Sequence, residues 1–107
     1  MLRVYRAESF GIARVFEGNR ERLLEPRLDL RSFSPNGFAW EYFRGGPQQL
    51  ALAIIADLYD DEVAVACVME FTAQAVAKRS KDLPFEMTEA EVRAVVQHIQ
   101  ESAKCSE

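Results

Sequence analysis

Residues able to do chemistry are few in this chain, and the best placed of them gather at one glycine junction, Arg44-Gly45-Gly46-Pro47-Gln48-Gln49. Free N–H groups at a helix start attract negative charge, and a guanidinium beside them adds to the attraction. Arg44, Gly45, Gly46, Gln48 and Gln49 are therefore the candidates for holding a ligand or an anion. The junction lacks the lysine and serine or threonine spacing of a phosphate-cradling loop, so a structural turn is the stronger expectation. At least one of the two glutamines suits such a turn, because a side-chain amide at a helix start can hydrogen-bond the backbone of the adjoining strand. Just upstream, Trp40 and Tyr42 are the candidates for an interaction surface, with core packing as their stronger competing use.

Other chemistry has little to stand on. His98 is the only histidine, and Glu91 and Glu101 on the same predicted helix do not complete a set of metal ligands. No metal site and no cofactor is expected. Cys67 lies in an apolar run, where burial raises a thiol pKa and suppresses the thiolate, while Cys105 beside Lys104 is more accessible but has no positioned base. An enzyme reading reduces to Glu41 or Asp57 acting beside Arg44, with the helix start at Pro47 stabilising an anion.

Charge separates the two parts of the chain. Residues 1–44 hold eight arginines against six carboxylates, whereas residues 45–107 hold five basic side chains against eleven acidic ones, for a net charge of −4. A net acidic surface repels phosphates at long range, which disfavours nucleic acid unless Arg3, Arg6, Arg14, Arg22, Arg27 and Arg31 share a face. The most apolar stretch, 50–56, is broken at Asp57 and is too short to cross a bilayer. With two widely spaced cysteines and a charged N-terminus that does not read as a signal peptide, a cytoplasmic protein is expected.

The elements that must position these residues follow from periodicity. At 107 residues and 49% hydrophobic content, one domain over 1–107 is expected, with a tail frayed from 102. Val4-Tyr5-Arg6 and Ala13-Arg14-Val15-Phe16 read as hairpin partners, Leu23 and Leu24 as part of a third strand that Pro26 would confine to an edge or end, and Leu28 to Arg31 as a half-buried extended segment. Ser34-Pro35-Asn36-Gly37 is the clearest turn, and Phe38, Trp40 and Tyr42 then alternate along a strand. Helices are predicted at 47–59, 62–79 and 88–101. The first is apolar on most sides and therefore central. The second follows the acidic link Asp60-Asp61-Glu62 and ends near Lys78 and Arg79, as the helix dipole favours, and the third opens on a capping box, Thr88 with Glu91, and a staple of Met87 on Val92, with Glu89 facing outward. The fold class is α+β: a small antiparallel sheet from residues 3–43 packed against three C-terminal helices, around a core of Val4, Phe38, Trp40, Leu50, Ile54, Val68, Phe71, Val92, Val96 and Ile99.

The segment from Gly37-Phe38-Ala39-Trp40-Glu41-Tyr42 through Gly46-Pro47-Gln48-Gln49-Leu50-Ala51, with the later Phe85-Glu86-Met87-Thr88, resembles an uncharacterised family of small bacterial and phage or mobile-element proteins. The resemblance covers most of the chain and implies no activity. Where that family tends to be glycine-rich, this chain has Phe43 and Arg44, which weakens a phosphate-cradling loop further. A noncatalytic protein-interaction or regulatory module is the leading expectation, with room for a protein partner and for self-association, since two of the helices have little polar face. The alternatives are a small hydrolase or transferase at 44–49 and nucleic-acid binding through the arginines.

Overall fold

The computed structural model describes residues 2–35, 37–40, 45–80 and 82–105, with side chains up to 102. Three short strands of mixed apolar and charged residues, β1 (Arg3–Ala7), β2 (Arg14–Glu17) and the mostly charged β3 (Arg20–Leu23), form a meander closed at its second turn by Gly18-Asn19, with Gly18 at φ 63°. A fourth strand, β4 (Phe85–Thr88), pairs with the other side of β1, so the antiparallel order is β3-β2-β1-β4. Side-chain alternation then fixes two faces. Tyr5, Ala7, Val15, Phe85 and Met87 are buried against the helices. Val4, Phe16, Arg6, Arg14 and Glu21 lie on the opposite face, which no helix covers among the described residues.

Three helices cover the inner face. In α1 (Gly45–Leu58), every residue from Leu50 to Ile55 is at most 1% exposed, as expected of a central helix. Asp60 caps α2 (Asp61–Phe71), its carboxylate accepting from the Val63 amide at 2.8 Å, with Asp61 and Glu62 in the first turn. The helix then widens into one π turn over Thr72–Val76, where Ala77 N–H donates to the Thr72 carbonyl five residues back at 2.8 Å. At the start of α3 (Glu89–Cys105), Thr88 N–H donates to Glu91 at 3.1 Å and Glu91 N–H to the Thr88 hydroxyl at 3.2 Å, the predicted capping box.

The fold class is the expected α+β, but several elements differ from the sequence reading. The fourth strand comes from 85–88 rather than from 38–43, where among the described residues only Phe38 pairs, through two hydrogen bonds with Gly11 at 2.8 and 3.1 Å. Residues 41–44 lie outside the described ones. Residues Leu28 to Leu30 form a turn, because Arg27 adopts φ 58° and its guanidinium grips Asp29 and Asp61 at 3.0 Å, folding the segment back on α2. Helix α2 proper ends at Phe71, not near 79, and α3 continues through 102 to Cys105. Val4 leaves the predicted core: the pleat turns its neighbours Tyr5 and Ala7 inward and sets it, half-buried, on the open face. Glu89, expected to face solvent, accepts from the Arg3 amide and from Arg93, both at 3.0 Å, and so ties α3 to β1.

Candidate functional site

The glycine junction is built for packing. A Cβ on Gly45 would meet the Phe33 carbonyl, and one on Gly46 would come within 2.6 Å of the Ala39 side chain, so the start of α1 lies directly beneath the 33–39 segment. Gln49, fully buried, completes the attachment with four hydrogen bonds. Its Oε1 accepts from the amides of Phe33 (2.8 Å) and Ser34 (3.1 Å), and its Nε2 donates to the carbonyls of Pro26 and Arg31. One amide thereby replaces the secondary structure that residues 26–34 lack. Gln48 is only half-buried and meets the Met69 sulfur at 3.2 Å, a weak acceptor. Arg44 and Tyr42 lie outside the described residues.

Trp40 is 1% exposed and belongs to the core. Its indole N–H donates to the carbonyls of Ser80 (2.9 Å) and Leu83 (3.0 Å), and its rings meet Phe10 edge-on at 4.7 Å and Phe85 at 5.9 Å. An indole held in this way presents no surface to a partner.

The carboxylate of the enzyme reading is also engaged elsewhere. Asp57 stands twelve residues beyond Gly45 on α1, about 18 Å along the axis. There it accepts from the Tyr5 hydroxyl at 2.9 Å and pairs with Arg22 at 2.8 Å and Arg3 at 3.6 Å, clamping the inner face of the sheet to the end of α1. Burial, followed by the adjacent Asp57 charge, pushes the Tyr5 hydroxyl pKa well up, so Tyr5 stays a neutral donor. Glu41 lies outside the described residues. His98 is exposed on α3, Cys67 is buried with its thiol pKa raised chiefly by that burial, and no group of three potential metal ligands occurs among the described residues. The six arginines do not share a face. Arg3 and Arg22 point inward, Arg6 and Arg14 outward, and Arg27 and Arg31 lie in the segment after β3.

A concave site does form, away from the glycine junction. A groove of about 260 Å³ opens beside the end of β3, floored by Phe38 and Leu24 and walled by Pro26 and Pro35. Ile12, Leu23 and Leu28 line it while standing 61%, 57% and 41% exposed. Its floor depends on a close backbone approach: Gly37, at φ 123°, brings its Cα so near Gly11 that an added Cβ would sit 2.7 Å from the Gly11 oxygen. Gln49 fixes the far wall, since Pro26 and Ser34, whose backbones it holds, both line the groove. Gln49 therefore positions the site without lining it. A second hollow, about 400 Å³ on the open sheet face, is rimmed by charges already paired, Arg14 with Glu21 at 3.1 Å and Arg6 with Glu8 at 3.4 Å. No described helix is long and apolar enough to cross a membrane.

A model of a family of unknown function, DUF6166, matches residues 5–98. No curated protein and no solved structure matches the chain.

Proposed function

Since the chain belongs to that family of unknown function, we propose from its own geometry that it is a noncatalytic protein-interaction module, with the groove at the end of β3 as its contact site. One observation carries the reading. Of the seven large apolar side chains that stand exposed among the described residues, three (Ile12, Leu23 and Leu28) converge on this single concavity. Exposed apolar surface gathered in one rigid hollow is what a protein partner covers. The bacterial or mobile-element origin and the cytoplasmic setting belong to the same proposal; the buried free thiol of Cys67 suits a reducing compartment.

The test uses two surface substitutions, Ile12→Asp and Leu28→Asp, whose exposed positions leave the core untouched. Proteins captured from the native host on the parent chain and on each variant are compared, and the captured partner is then purified and titrated against all three. A stoichiometric complex weakened at least tenfold by either aspartate is expected. A partner that binds the variants as tightly as the parent overturns the groove. Tight binding of labelled DNA or RNA that weakens steeply with salt overturns the interaction reading itself.

A further inference from the structure

Resting on the interaction reading, we infer that the groove's occupant is an extended segment of another protein, which adds as a strand to the free edge of β3 and carries an acidic residue three to five positions from an apolar anchor. The edge is available because β3 is the terminal strand of the sheet. Its hydrogen-bonding phase follows from the hairpin. Glu17 and Arg20 flank the two-residue turn and exchange bonds, so the N–H and C=O groups of Arg20 and Arg22 point to β2. The Leu24 amide keeps this phase by donating to the Ala13 carbonyl at 2.9 Å. By alternation, the backbone groups of Glu21 and Leu23 face outward, and among the described residues no strand receives them. A segment paired there runs straight into the groove, whose wall begins at Leu23.

Charge selects the occupant. Arg20 has no ion-pair partner among the described residues, and Arg22, though bound to Asp57, keeps its side chain 46% exposed. A residue opposite Arg20 on the added strand shares its face, so an acidic side chain is favoured there. The groove wall begins at Leu23, three residues beyond Arg20, so at a strand rise of about 3.3 Å per residue an anchor three to five positions from the acidic residue lies about 10 to 17 Å along the added strand. A second copy of this chain is disfavoured as occupant. Antiparallel self-pairing centred on Glu21 would set Glu21 against Glu21 and Arg20 against Arg22. An added peptide of the stated pattern meets no such repulsion.

Panning a displayed library of random nine-residue peptides against the full chain, with counter-selection on Leu28→Asp, tests the inference. Selected peptides should combine Asp or Glu with an aliphatic or aromatic residue at the stated spacing, and Arg20→Glu should reverse their preference from acidic to basic. Glu21→Pro removes an outward N–H while leaving the bonds to β2, and should weaken binding at least tenfold. Should that variant misfold, N-methylation along a selected peptide gives the same information: binding is lost at alternate positions and kept at those between. Peptides that require Leu28 but show no acidic preference, or that tolerate N-methylation throughout, overturn strand addition and leave the groove as an interaction site. A library that yields no peptide sensitive to Leu28→Asp also overturns it, and the native-host complex then decides the broader reading alone.

Discussion

Single side chains carry unusual weight in a segment without regular structure, and Gln49 shows why. Residues 26–34 make few backbone hydrogen bonds among themselves, so the four bonds from this buried amide stand in for a ladder. Gln49→Ala leaves two amides and two carbonyls unpaired in a partly buried setting, at a cost of about 2 to 4 kcal/mol. Urea denaturation should show the loss, and hydrogen exchange should locate it first at Phe33 and Ser34. A variant as stable as the parent would mean that water replaces the amide. Trp40→Ala should cost about 3 to 5 kcal/mol through the cavity it opens and the orphaned carbonyls of Ser80 and Leu83. A denaturation midpoint equal to the parent's would contradict the burial of the indole. The residue types at 40 and 49 pointed to these roles, aromatic for packing and amide for backbone capture. The partners of Gln49 were hidden, since they lie 15 to 23 residues away in a segment whose alternation imitated a strand.

Among the elements, α3 was the most legible because its signals are local: the Thr88–Glu91 box and the spacing of Val92, Val96 and Ile99 need no distant residue. Strand β4 was illegible for the opposite reason. Its four residues hold only two apolar side chains, and it becomes a strand by pairing with β1, more than 75 residues earlier. Glu89 joins the two elements and gives them a pH dependence. Hydrogen bonding from the Arg3 amide, then from Arg93, holds its pKa below the ordinary 4.5. Because the folded value is the lower one, its contribution is fully present above the unfolded pKa and is lost as pH falls through the folded one. Stability should therefore decline from about pH 4.5 downward, and Glu89→Gln should flatten that part of the profile in urea titrations at pH 3 to 7. An unchanged slope in the variant would assign the acid sensitivity to other carboxylates, Asp29 beside Arg27 foremost, whose pKa is also held down.

At the scale of the molecule, the apolar excess of the helices bears on whether the chain stands alone. From sequence, α1 and α2 carry more apolar surface than a small monomer shows, which left self-association open. The structure covers the share of α1 internally, where it packs against α2 and the π turn, so Leu52, Ile54 and Ile55 are wholly buried, whereas α2 leaves Met69 exposed and Val63 and Val65 half-buried. The groove was not foreseeable in the same way, because Ile12, Leu23, Leu28 and Phe38 come from four separate stretches and meet only through the Gly11–Gly37 contact and the Gln49 bonds. What the sequence did show was a third strand at Leu23 and Leu24 that Pro26 would confine to an edge or end, though not the charged residues 20–22 that make up most of it. The Arg20-Glu21-Arg22 run opposes antiparallel copies of itself, so the exposed groove does not imply a dimer. Light scattering at micromolar concentration should accordingly give the mass of one chain, at low and at moderate salt. A stable dimer that dissociates on Leu28→Asp would show that a second copy fills the groove, overturning strand addition by another protein. A dimer indifferent to that substitution would place self-association elsewhere, with the sheet face around Val4 and Phe16 as the next surface to test, and would leave the groove free for its partner.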